Sequence, residues 1–191
     1  MNEMIININD LFNHRSFGAS SEINSYNDFT GISGSFLLKE SLVKTDLALN
    51  IDFQISEYNK FDNINCIDRI KVPILMQIKM IYLLGFAECG EFIENVMVTF
   101  DNGTIAAVSI SIPEFCFHTV YKDSYYYNSI WKNSWNKERV ISPYYQLART
   151  VEPGGHLYCI TCPVPATDQM VNYITLPDNE MVHIYSISCS P

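Results

Sequence analysis

Charge is scarce in this 191-residue chain: Asp, Glu, Lys and Arg make up 17% of it, while aromatics make up 13%. Scarce charge beside abundant aromatics excludes a disordered segment, which needs the opposite balance. No apolar run is long enough for a bilayer helix. The longest, Val72 to Ala87, is interrupted by Pro73, Gln77 and Lys79 and falls short of the roughly 20 residues a span requires. No secretory leader is expected either, since Met1-Asn2-Glu3-Met4 has no basic region and Ile5-Ile6-Asn7-Ile8 is too short and polar for an apolar core. The expected location is cytoplasmic. Helical patterning is poor as well. Lys39 to Asn50 holds Leu42, Val43, Leu47 and Leu49 without a cap or a helical stripe, so it predicts at most one short helix or turn. Neither an internal repeat nor a low-complexity linker divides the chain, and its length fits one domain over 1–191.

Basic residues are outnumbered, 12 Lys and Arg against 21 Asp and Glu, for a net charge of −9. An acidic surface repels phosphate, so neither nucleic acid nor anionic membrane is expected as a partner. Neutral sugars, cations or a basic partner remain compatible. The six cysteines (Cys66, Cys89, Cys116, Cys159, Cys162 and Cys189) do not make a disulfide framework in a chain this long. They are expected to be reduced, several as small core residues.

What the sequence has in quantity is a period of two. Val72, Ile74, Met76, Ile78, Met80, Tyr82 and Leu84 alternate with Gln77 and Lys79 on the other face, which predicts one long half-buried strand or a strand pair with a bend. Ile51, Phe53 and Ile55 alternate with Asp52, Gln54 and Ser56. Near the end, Tyr185, Ile187 and Cys189 alternate with Ser186 and Ser188. Each run has an apolar and a wettable side, as strands of an antiparallel sheet with one solvated face do. The strongest local signal is a hairpin at Asp101-Asn102-Gly103. A three-residue loop with left-handed Gly103 sets Val98 opposite Ala106 and Val96 opposite Val108, continuing an apolar face through Ile110 and Ile112. A two-residue loop would break that face. Many strands with almost no helix predict an all-β, antiparallel β-sandwich or jelly roll.

One stretch differs in composition. Between Phe117 and Tyr145 lie Tyr121, Tyr125, Tyr126, Tyr127, Trp131, Trp135, Tyr144 and Tyr145, mixed with Lys, Asn and Ser. The segment 118–145 is expected to be a long aromatic loop or lid over one end of the sandwich. Flat rings stack on the C–H faces of sugars, they also dominate protein interfaces, and they commonly fold back on a core.

Several segments resemble a β-sandwich module, galactose-binding-like in general shape, that recurs beside or inside bacterial glycoside hydrolases. Tyr26-Asn27-Asp28-Phe29-Thr30-Gly31-Ile32-Ser33-Gly34-Ser35-Phe36 is similar to that module's D-F-D-G-x-G-x-S-[FY] opening, with Thr30 where a second acid is usual. Phe61-Asp62-Asn63-Ile64-Asn65 followed by Ile70-Lys71-Val72-Pro73 resembles D-N-V … I-x-L-P, and Tyr82-Leu83-Leu84-Gly85-Phe86-Ala87 resembles H-L-L-G-A-A. Val98 to Thr104 matches V-x-Y-x-D-G-S/T. Glu152-Pro153-Gly154, Ile174 to Asn179 and His183 to Ile187 resemble the closing strands. The resemblance covers most of the chain outside the aromatic segment. It implies the sandwich fold and a sugar-associated role, with these residues building turns and strands rather than an active site.

Four constellations could carry chemistry. His156-x-x-Cys159-x-x-Cys162, with Cys116 and His118 nearby, has zinc-ligand residue types, but Cys159 and Cys162 face opposite sides of a strand and no turn residue separates them. No metal or cofactor is expected. Cys116-Phe117-His118 with Glu114 brings a thiol, a base and an acid to one extended face, though nucleophile and base normally converge from separate segments. Asp28, Glu88, Glu91, Glu94 and Glu114 are carboxylates that glycosidase chemistry would need in pairs. Asp28 is also a turn or calcium candidate. The aromatic segment is the fourth. The leading expectation is a module binding a carbohydrate or glycosylated small molecule through Tyr125, Tyr126, Tyr127, Trp131 and Trp135, with Arg149, His118 and His14 as polar partners. The alternatives are an enzyme, or an accessory subunit of a partner enzyme chain, acting on a glycoside or natural product with His118 and Glu114 as acid and base, and a structural interaction module.

Overall fold

The structure, a computed structural model, describes residues 3–14, 28–29, 32–37, 42–44, 51–56, 61–88, 90–113, 138–140, 144–147, 150–153 and 157–191. The chain opens with β1 (Met4–Ile6) and one 3-10 turn (Asn9–Leu11). Short strands follow as β2 (Asp28–Phe29), β3 (Ile32–Leu37), β4 (Leu42–Lys44), β5 (Asp52–Gln54) and β6 (Ile64–Asn65). The long central strands are β7 (Lys71–Gln77), β8 (Met80–Ala87), β9 (Phe92–Phe100) and β10 (Ile105–Ile112). After β11 (Glu138–Val140), β12 (Tyr144–Leu147) and β13 (Thr150–Pro153), the chain ends in β14 (Leu157–Pro163), β15 (Met170–Thr175) and β16 (Val182–Ser190).

These strands form an antiparallel all-β sandwich. One sheet runs β1-β16-β8-β14-β11, with β6 also paired to β16, and the other runs β10-β9-β15-β7. A further sheet, β13-β12-β3-β2, and a ribbon, β4-β5, complete the described strands. The core between the two main sheets holds Val72, Ile74, Val96, Val98, Val108, Ile110, Val171 and Ile174 from one side and Ile81, Leu83, Ile160 and Ile187 from the other, all buried. No helix among the described residues is long and apolar enough to cross a membrane.

The alternation that begins at Val72 resolves into two strands in different sheets. β7 pairs with β15, and β8 pairs with β14 and β16, so the chain crosses the sandwich at Ile78 and Lys79. The Lys79 N–H donates to the Ser190 carbonyl and its own carbonyl accepts from Val164 N–H, both at 2.9 Å, so both backbone groups of Lys79 are paired at the corner. Alternation persists along β7, whose even positions Val72 and Ile74 are buried while Lys71, Pro73 and Leu75 are exposed. β8 departs from the half-wet expectation, being buried on both faces.

The same correction applies to β16. Ser186 and Ser188 do not form a wettable side, and they are 1% and 0% exposed. Ser186 Oγ accepts from Gln54 N–H at 3.1 Å and Ser188 Oγ donates to the Asp52 carbonyl at 2.5 Å. The two hydroxyls therefore anchor β5, which lies over this face with Phe53 fully buried. A buried serine is tolerable because its bond replaces the lost water. β5 itself follows the expected alternation, and its partner β4 is a strand where the sequence predicts a helix or turn: Val43 pairs with Phe53. Pairing to an amphipathic neighbour overrides the weak local preference of Leu42-Val43-Lys44.

The hairpin register agrees with the sequence argument. Ala106 pairs with Val98 and Val108 with Val96, Gly103 has φ +82°, and Phe100 exchanges bonds across the loop with Gly103 and Thr104. Asn102 Oδ1 accepts from both the N–H and the hydroxyl of Thr104, which locks the turn. The expected loop 118–145 is strand at its C-terminal end, because β11 pairs with β14 and Tyr144 opens β12 against β3. Short strands without alternation carry no periodic signal to betray them. The rest of that segment lies outside the described residues.

Candidate functional site

Of the residues singled out in the sequence, Glu114, His118, Tyr125, Tyr126, Tyr127, Trp131, Trp135, Arg149, Cys116 and His156 lie outside the described residues. Asp28 opens β2 and pairs with Ser33. Glu88, Glu91 and Glu94 are separated by their partners: Glu91 accepts from the Ser111 hydroxyl, Glu94 from Asn179 Nδ2 at 2.8 Å, and Glu88 turns inward.

Glu88 and His14 enter one buried polar chain, together with residues the sequence reading left unassigned. His183 Nε2 is 2.8 Å from Glu88 Oε1, although not on the line of a full hydrogen bond, and both side chains are almost completely buried. On the other side of the ring, His183 Nδ1 is 3.1 Å from Asn63 Oδ1. The Asn63 amide nitrogen donates to Asp62 Oδ1 at 2.7 Å and lies 3.2 Å from His14 Nδ1. That donation fixes the amide's orientation, so Asn63 Oδ1 must accept and His183 Nδ1 must carry hydrogen. The His14 ring lies 4.8 Å from that of His183, and the backbones of His14 and Asn63 are bridged. The chain thus ties the N-terminal segment and β6 to β16. With Glu88 and His183 this deeply buried, no substrate atom reaches them, and the arrangement is a structural pin.

The four described cysteines are buried. Cys162 and Cys189 both pair with Ile81, from opposite sides of β8. Two strand spacings put them roughly 9.5 Å apart, beyond the ~7 Å Cα limit of a disulfide. Burial pushes the Cys162 and Cys189 thiols up to about 12, with Cys162 reinforcing Cys189. Cys66 is raised too, by burial first and by Glu94 second. Such thiols are poor nucleophiles and poor metal ligands. Among the described residues no three His, Cys, Asp or Glu side chains are grouped to hold a metal ion.

Space for a ligand lies on the outer face of the β10-β9-β15-β7 sheet, in a groove of about 600 Å³. Tyr173 on β15 sits between Thr99 of β9 and Pro73 of β7, and the next outward residue, Thr175, sits between Met97 and Lys71. This register makes Lys71 the diagonal neighbour of Tyr173, and its Nζ lies 4.8 Å over the ring centroid. A hydrogen bond from Thr99, then the charge of Lys71, lowers the Tyr173 phenol from its ordinary value. One end of the groove is closed by Arg69 and Asp178, with Nε to Oδ2 at 3.8 Å. Hydroxyls, an amide, both signs of charge and one ring therefore face a common space. The sequence reading missed Tyr173 and Lys71, which are brought together only by the pairing of β7 with β15.

No protein-family model matches the chain, and no curated protein matches it.

Proposed function

We propose that the chain is a binding module that takes a carbohydrate or glycosylated small molecule in the outer groove of β9, β15 and β7. The observation that carries this reading is the groove itself: about 600 Å³, with the Tyr173 ring flanked by Thr99, Asn95, Thr175 and the charged ends of Arg69, Lys71, Glu94 and Asp178. Its volume falls within the few hundred to roughly 1,000 Å³ of small-ligand sites. A sugar needs an apolar platform for its C–H face and several donors and acceptors for its hydroxyls, and this composition supplies both. The ordered segments similar to sugar-associated sandwich modules give independent support.

A glycan array followed by calorimetry tests the proposal. Tyr173→Ala should weaken binding by about 1–3 kcal/mol, the range for a lost stacking ring, without lowering the melting temperature, since the ring is only half-buried. Trp131→Ala and Trp135→Ala in the same assay apportion binding between the groove and the aromatic segment. A bound glycan indifferent to Tyr173→Ala rejects the groove.

A further inference from the structure

We infer that the groove prefers a saccharide carrying a carboxylate, of uronic-acid type, received by Arg69 and Lys71. The inference rests on the groove being the binding site and adds the class of ligand it selects.

Among the described residues, four charged side chains line the groove, two of each sign: Arg69, Lys71, Glu94 and Asp178. They are not equivalent. Both acids already accept from the protein, Glu94 from Asn179 Nδ2 at 2.8 Å and Asp178 Oδ1 from the Asp68 N–H at 3.0 Å. The cations retain capacity. The Arg69 side chain is 77% exposed, and its one ion pair is a long 3.8 Å contact through Nε. That leaves the planar fork of its guanidinium for a planar carboxylate, the pairing it fits in two parallel bonds. Lys71 has no acidic partner among the described residues, and its ammonium rests over the Tyr173 ring.

The backbone points the same way. Asp68 and Arg69 are consecutive non-glycine residues with φ of +64° and +52°. Two left-handed residues in a row are costly outside glycine, and such strain persists where the surroundings enforce it. Here Asp178 holds the turn through the Asp68 N–H, which sets the Arg69 side chain at the groove's end. A carboxylate on a sugar would draw the Lys71 ammonium off the Tyr173 ring to meet it beside Arg69, leaving that face for the sugar ring while the hydroxyls meet Thr99, Asn95 and Thr175.

The test compares trigalacturonate with its carboxyl-reduced, neutral trisaccharide by calorimetry on the full chain. The acidic form should bind at least about tenfold more tightly, and Arg69→Gln and Lys71→Met should each cost the acidic form more affinity than the neutral form, narrowing the gap between them. Both side chains are exposed, so circular dichroism should show the variants folded. Equal binding of the two trisaccharides, or an acid preference that survives both substitutions, overturns the inference and leaves the groove reading standing. Binding of neither trisaccharide overturns it too, while the groove is judged separately by the response of array-selected glycans to Tyr173→Ala.

Discussion

Nε2 of His183 stands 2.8 Å from Oε1 of Glu88, and the two side chains are 1% and 2% exposed. They are separated in the chain by β9 through β15, so this contact fastens the end of β8 to the start of β16. Around it, Asn63, Asp62 and His14 supply polar neighbours that replace water, and the Phe86 ring, 5.3 Å from the His183 ring, closes the apolar side.

Removing one partner takes away the group that the other buried polar side chain faces. Glu88→Ala and His183→Ala should each lower folding stability by about 1–3 kcal/mol, the cost of leaving a buried polar group unsatisfied. The double variant should cost less than the sum of the two, because neither side chain is then left facing a missing partner. Urea denaturation of the three variants checks this. Strict additivity would mean that the pair is not coupled.

Gly85 follows from packing rather than from a turn. Its neighbour strand bulges at Tyr185, where β16 shifts register against β8 between Ile184 and Ser186. A Cβ at position 85 would stand 2.3 Å from the His183 carbonyl oxygen and 2.8 Å from Ile184 Cδ1. The first of these is backbone and has little room to retreat. Gly85→Ala should therefore cost about 1–3 kcal/mol, the range for overpacking a filled interior, despite the better intrinsic propensity of alanine. An alanine variant as stable as the parent in thermal melts would show that β16 can move away.

The β-architecture was legible because period two survives in the sequence wherever one face is wet: β7, β5 and the β9–β10 hairpin all show it. In that hairpin Asn102-Gly103 and the apolar pairs Val98/Ala106 and Val96/Val108 agree on one register. Where both faces are covered, the pattern misleads. Ser186 and Ser188 read as solvent-facing, yet they serve the backbone of β5, a partner more than a hundred residues away in the chain. The site was less legible than the fold for the same reason. His14 could be picked as a polar candidate, but its relation to His183 depends on β6 pairing with β16. Tyr173 and Lys71 are ordinary strand residues until the β7–β15 register makes them diagonal neighbours.

Among the described residues, the buried thiols carry a clear pH dependence. Cys162 and Cys189 rise from 9.0 to about 12 through burial, so the folded state favours their neutral forms. The unfolded chain loses these protons first as pH rises. The stability they contribute is thus complete below pH 9.0 and is lost progressively between 9.0 and about 12. A pH series of denaturant midpoints should fall over that window, less steeply for Cys162→Ala. Iodoacetamide at pH 8 should leave Cys66, Cys162 and Cys189 unlabelled until denaturant is added, as peptide mass spectrometry would register. Rapid native labelling of any of the three would contradict their burial.

Arg69 permits a test that separates backbone strain from side-chain function. At φ +52° an arginine pays a steric penalty that glycine does not. The relief is about 1–2 kcal/mol in the left-handed region, and the greater freedom of glycine in the unfolded chain takes back about 0.5–1 kcal/mol. Loss of the exposed Asp178 contact removes little, at most a few tenths. Arg69→Gly should therefore raise stability by about 0.5–1 kcal/mol, whereas Arg69→Gln, which keeps a Cβ in the same conformation, should stay within about 0.5 kcal/mol of the parent. Both lose the guanidinium. A more stable Arg69→Gly would show that the arginine is a net cost to the fold at this position. If chemical denaturation finds Arg69→Gly less stable than Arg69→Gln, the turn is not strained and the side chain's placement at the groove is incidental.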